Sequence, residues 1–145
     1  MHASTGFISC IFILICFKFY KKIKVPFLIA FFSFCFSLTV GLVFELYEYS
    51  IDNIFYKDMQ KDMIINNIST VKLKDKDDLI KINNIYKTII YYKDKNELKE
   101  IEIKNGYLDI GINDTMKDLY VNFIGSVMGS LYVYFCLKEK KEDNN

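Results

Sequence analysis

Apolar and polar positions are segregated along this chain rather than interleaved. Three apolar stretches, Ala3 to Phe17, Val25 to Phe44 and Leu119 to Leu137, are set apart by short basic clusters and by one long polar segment. The second and third are each about twenty residues long, which is what a helix needs to cross the hydrocarbon core of a bilayer. The first is shorter and ends in Lys18, Lys21, Lys22 and Lys24. It has no basic segment ahead of it and no small-residue cleavage signal, so it reads as a span and not as a signal peptide.

Charge sets the orientation of these spans. Short loops rich in Lys stay on the cytoplasmic side, so the cluster Lys18 to Lys24 places the N-terminus outside. Pro26 suits the first turn of the second helix, where a missing amide hydrogen costs little. That helix runs outward, and the third returns to end at Lys138, Lys140 and Lys141. The polar segment between them also carries many Lys, but a loop of about sixty residues is largely exempt from the charge rule. The expected architecture is an α-helical membrane protein with three transmembrane helices. Residues 1–52 form a two-helix hairpin, 53–113 an extracytoplasmic insert, 114–138 the third helix and 139–145 a cytoplasmic tail.

The insert shows no helical stripe. Ile68 to Leu73, Ile85 to Tyr92 and Leu98 to Ile103 are rich in β-branched and aromatic residues and read as strands. Lys93 to Asn96 and Asn105-Gly106 read as turns between strands. Three strands predict a small β-sheet, with a disordered loop as the alternative for so Lys- and Asn-rich a segment.

Composition narrows the function classes. Hydrophobic residues make up 52% of the chain and charged residues 26%, yet the net charge is only +1. There is no basic stripe with interleaved aromatics, so nucleic acid is excluded as a partner, and the bilayer is the expected one. Cys10, Cys16, Cys35 and Cys136 all fall in apolar stretches and the insert has none, which excludes a disulfide-stapled domain. The only histidine is His2, so no Ser/His arrangement for nucleophilic catalysis is available.

The candidate chemistry lies at the outer ends of the second and third spans. Glu45, Glu48 and Asp52 follow the second apolar stretch at i, i+3 and i+7, and Gly41 shares their helix face at about 100° per residue. On the third helix Asp114, Asp118, Asn122, Gly125 and Gly129 fall within one sector, so an acidic stripe continues into a Gly-x-x-x-Gly pair flanked by Ser126 and Ser130. Such glycines allow a second helix backbone to approach closely. Crowded carboxylates with Asn122 suit a divalent cation, or a proton exchanged among them, and His2 at the outer end of the first helix is an accessory candidate. The structural alternative is that Asp114 and a Thr115-x-x-Asp118 capping box merely begin a helix. Glu45, Glu48 and Asp52 oppose the dipole at a helix C-terminus and are not explained that way.

Several segments together carry a resemblance. His2-Ala3-Ser4-Thr5-Gly6-Phe7, Glu45-Leu46-Tyr47-Glu48 with Asp52, Met59-Gln60, and Gly106 to Gly111 leading to Asp114-Thr115-Met116-Lys117-Asp118-Leu119 and Asn122 resemble the YjdF-like family of bacterial multi-spanning membrane proteins. Phe44 stands where that family's motif has Trp before Glu. Its members generally have further spans ahead of the His-x-Ser-x-Gly segment. The resemblance thus implies a misassigned start, a truncated gene, or partner subunits (further copies or other membrane proteins) that supply the remaining helices. The family implies no activity. A weaker likeness to VanZ-like envelope proteins implies a role at the cell envelope.

Three functions fit these residues. One is a transport- or envelope-associated membrane protein whose acidic cluster binds a cation, proton or cationic headgroup. The second is a metal-assisted enzyme acting on an envelope lipid, and the third a purely structural assembly subunit. The topology is testable directly: cysteine placed at Lys76, with the native cysteines replaced, is expected to react with an impermeant thiol reagent in intact cells, whereas cysteine at Lys141 reacts only after lysis. The reverse labelling would invert the orientation.

Overall fold

The computed structural model describes residues 2–19, 25–73 and 78–142. They form three helices, α1 (His2–Phe19), α2 (Pro26–Phe55) and α3 (Ile112–Glu142). Between α2 and α3 lie six strands: β1 (Met63–Ile65), β2 (Ile68–Thr70), β3 (Ile80–Ile82), β4 (Lys87–Asp94), β5 (Glu97–Lys104) and β6 (Tyr107–Asp109). The chain divides into two compact units, Met1–Met59 with Thr115–Asn145, and Gln60–Asp114. The side chains of His2, Lys18 and Lys141, and the whole of Lys21, Lys22, Lys24 and Lys76, lie outside what the structure describes.

The helices turn a polar seam inward and an apolar surface outward. Among the described residues they bury Ser33, Ser37, Glu45, Asn122 and Ser126, while Phe12, Phe27, Phe31, Phe32, Phe123, Leu131 and Phe135 are at least 46% exposed. The apolar core amounts to Cys10, Ile13, Ile29, Ala30 and Val133. In water this would leave contiguous apolar faces unburied at a large cost. In lipid the same surface is solvated, and polar side chains gain by facing one another.

Both long helices overshoot their apolar stretches. At 1.5 Å per residue the 30 residues of α2 extend about 45 Å, against roughly 30 Å of hydrocarbon. Pro26 opens α2 behind an extended Val25, and Tyr56 closes it in the left-handed conformation at φ 51°. The chain beyond is held by Asp52, whose Oδ1 accepts the Met59 amide at 2.6 Å. Asp52 thus secures the exit from a helix, a structural use that its opposition to the dipole had hidden.

The insert differs from a single three-stranded sheet. It contains three separate antiparallel ladders, β1 with β6, β2 with β3, and β4 with β5. The β4–β5 hairpin pairs Lys87 with Lys104 through Asp94 with Glu97, so its turn is Lys95-Asn96 alone, narrower than the expected Lys93 to Asn96. Both turn residues have positive φ, 46° and 71°, as a type I′ turn requires. Gly106 lets β6 close on β1, since a Cβ there would stand 2.5 Å from the Ile65 carbonyl oxygen.

The start of α3 also corrects the sequence expectation. The helix begins at Ile112, so Thr115 lies within its first turns and does not cap it. Asp109 takes that role, with Oδ2 accepting the Asn113 amide at 2.8 Å. Gly111, at φ 82°, makes the bend into the helix, and a Cβ there would meet the Gln60 Cβ at 2.7 Å.

The hairpin turn yields a prediction. Lys pays about 1 kcal/mol or more for a left-handed backbone that Asn and Gly adopt cheaply. Lys95→Asn with Asn96→Gly is therefore expected to slow amide exchange throughout β4 and β5. Unchanged exchange would mean that the turn does not limit hairpin stability.

Candidate functional site: a polar seam between three helices

The seam is built from small residues one helical turn apart. Ser33, Ser37, Gly41 and Glu45 follow one another at i+4 along α2, and all four are buried. Facing them, Gly6 and Cys10 of α1 and Asn122, Ser126, Gly125 and Gly129 of α3 are buried as well. Gly125 is pressed against the Ala3 backbone, and a Cβ at Gly129 would meet the Cys10 Cβ at 2.9 Å and the Phe7 Cα at 3.2 Å. The two glycines thus give α3 its approach to α1.

Hydrogen bonds tie the helices at these contacts. Ser37 Oγ donates to the Gly6 carbonyl of α1 at 2.6 Å and lies 2.6 Å from Ser126 Oγ of α3. Ser126 Oγ also lies 2.8 Å from the carbonyl of Asn122. Two hydroxyl hydrogens serve three short contacts, so the pair runs as a chain either toward Gly6 or toward Asn122. One turn further in, the Cys10 thiol sits 3.4 Å from the Ser33 carbonyl and 3.6 Å from that of Ser126. Cys10 joins all three helices and is more than the apolar filler its sequence context suggests.

Asn122 is the wedge of the seam and is 2% exposed. A Cβ at Gly41 would run into its amide, 2.6 Å from Cγ, and a Cβ at Gly6 would stand 2.8 Å from Oδ1 and 2.7 Å from the Asn122 carbonyl oxygen. Only glycine on both neighbours admits the side chain. Nδ2 lies 3.5 Å from the Ser37 carbonyl. Oδ1 has no hydrogen-bond partner among the described residues, and it faces the Cα of Gly6, where a C–H···O contact supplies weak compensation.

The six candidate residues separate into distinct roles. Glu45 is 4% exposed and stands one turn beyond Gly41, at the end of the seam nearer the C-terminus of α2. Glu48 and Asp118 are half-buried on the same helix faces as Glu45 and Asn122. Asp52 and Asp114 bind backbone amides, Asp52 at Met59 and Asp114 through Oδ2 at Lys61, 3.1 Å away. Among the described residues no three His, Cys, Asp or Glu side chains are grouped to hold a metal ion.

Sequence reasoning passed over Gly6, Cys10, Ser33 and Ser37 as parts of the site. A signal was present, because Ser33-x-x-x-Ser37-x-x-x-Gly41-x-x-x-Glu45 is a small-residue ladder leading to an acid, the pattern that brings membrane helices together.

The wedge predicts a selective rescue. Gly41→Ala alone is expected to destabilise the purified protein by about 1–3 kcal/mol through overpacking, and Asn122→Ala in the same chain is expected to remove most of that loss, because the atoms met at Gly41 belong to the Asn122 side chain. Gly6→Ala is expected to stay costly in the Asn122→Ala background, since it also meets backbone. Additive effects at Gly41 and Asn122 in a thermal-melt double-mutant cycle would overturn the clamp.

Neither a curated protein nor a solved structure matches the chain. A family model described as "Predicted membrane protein (DUF2238)" matches residues 1–139, and the outward apolar faces and inward polar seam agree with it: the chain belongs to this membrane-protein family.

Proposed function

We propose that all three helices span the bilayer, with the N-terminus and the insert outside, and that the protein holds a cation at the outer end of its polar seam. The cation is a proton, a monovalent ion or a cationic headgroup, and Glu45 is its principal ligand. Glu48, Asp118 and Asn122 complete the polar surroundings. This reading is supported above all by the burial of Glu45, 4% exposed, about 28 Å along α2 from Pro26 and so near the outer boundary of the hydrocarbon.

Magnitudes favour a functional reason for that burial. An ionised acid at the centre of a membrane helix costs about 2.5–3.5 kcal/mol on insertion scales, and less toward the interface. One interhelical polar contact in a membrane contributes about 0.6 kcal/mol on average. Several seam contacts would be needed to offset one carboxylate, while a bound cation or proton neutralises it outright.

The second reading is an assembly subunit with no ligand, favoured by the Gly6–Asn122–Gly41 wedge, which commits Asn122 to packing. The metal-assisted enzyme acting on an envelope lipid is the third reading, and no specific observation favours it. The first two readings part at Glu45. If the site holds a cation, the melting temperature of the purified protein rises with the concentration of that ion or with acidity, reflecting a stabilisation of about 2.7 kcal/mol at one hundred times the dissociation constant. Glu45→Gln is expected to abolish that dependence and leave the fold intact. A wild type indifferent to pH, Na⁺, K⁺ and choline, with Glu45→Gln more stable, would leave only the assembly role.

A further inference from the structure

At the opposite end of the helices from Glu45, α2 and α3 enclose a groove open to the side. Phe27 and Phe31 of α2 and Leu131 and Tyr134 of α3 form its walls, and the small residues Ala30 and Ser130 its floor. It encloses about 370 Å³, within the range of sites that accommodate a small molecule. Ala30 is 7% exposed, whereas Phe27 and Phe31 stand 67% and 55% exposed, so the aromatic rings rise as rims above a closed floor. Ser130 keeps its hydroxyl on its own helix, donating to the Val127 carbonyl at 2.9 Å, which leaves the lining apolar.

One turn of α3 past the groove stands a positive charge. Lys138 lies four residues beyond Tyr134 and eleven beyond Val127, another lining residue, so it falls in the same sector of α3 at about 100° per residue. It is exposed. The start of α2 has no acid in its first turn and no side-chain cap from Val25, so the acids near Lys138 on the described helices are Glu139 and Glu142 of its own last turn. An apolar, chain-wide channel that ends at a cation near the membrane surface is complementary to a molecule with a long apolar tail and an anionic head. Basic sites between transmembrane helices bind acidic lipid headgroups in this way.

We propose that this groove holds one anionic phospholipid, its acyl chain between Phe31 and Leu131 and its phosphate at Lys138. The site is independent of Glu45, so it stands or falls apart from the cation reading. The full chain, purified in detergent, is titrated separately with dioleoyl phosphatidylglycerol and dioleoyl phosphatidylcholine, and retained lipid is counted by native mass spectrometry beside a thermal melt. The expected result is one retained phosphatidylglycerol, held at least about fivefold more tightly than phosphatidylcholine, the preference that one Lys at a membrane surface supplies. Lys138→Gln is expected to remove the preference between the two lipids. Phe31→Ala is expected to weaken retention of both with the charge intact, while Lys95→Gln, in the hairpin turn, changes nothing. Equal retention of the two lipids by the wild type would overturn the proposal. So would a preference that survives Lys138→Gln, or retention unaffected by Phe31→Ala, which would indicate diffuse attraction to the surface instead of a seated lipid.

Discussion

A polar side chain between membrane helices has no water to turn to, and every other feature of the helical unit follows from that constraint. The side chains of Ser37 and Asn122 reach partners on neighbouring helices, and such partners lie within reach only where the backbones nearly touch. Gly6, Gly41, Gly125 and Gly129 provide the contact, because a Cβ at any of them would collide with a neighbouring helix. Glycine costs helix stability in water. In lipid it is repaid by dispersion contact over the length of the seam and by hydrogen bonds that a bulkier residue would prevent.

The same constraint explains why the outer surface carries large residues and the inner one small. Phe34 and Phe123 meet edge to face with ring centroids 5.8 Å apart, bridging α2 and α3 outside the seam, and Phe17 meets Phe32 at 5.7 Å between α1 and α2. The aromatic contacts brace the bundle from its periphery while the backbones set its spacing from within. Beside the Phe34–Phe123 pair, the small residues Ala30 and Ser130 leave room between the rings of Phe27, Phe31 and Tyr134, and the lateral groove results.

Much of this was legible in the sequence, for identifiable reasons. Apolar runs of about twenty residues announce α2 and α3, and the long β4 and β5 carry enough β-branched and aromatic residues to show as strands. The three-residue strands β1, β3 and β6 do not, because pairing and not local pattern makes them strands; Gly106 and its approach to Ile65 are visible only in three dimensions. The acidic residues were identified by position but not by role. Asp52 reads as a member of one stripe with Glu45 and Asp114 of another with Asp118, yet each binds an amide of the irregular chain that follows α2. Hydrophobic pattern gives the face on which a residue lies and is silent on what the chain does after the helix ends.

Glu45 stands apart from the other candidate acids by its burial. Asp52 and Asp114 gain backbone hydrogen bonds, which are stronger to a charged acceptor than to a neutral one, and that is sufficient reason for their presence. Glu45 lies at the end of a ladder whose other rungs, Ser33, Ser37 and Gly41, are neutral and small, and glutamine would fill its place with the same shape and no charge to desolvate. A seam evolved only to pack would do as well with the amide. The carboxylate adds a net charge and the capacity to exchange a proton, and burial among helices raises the cost of the charge.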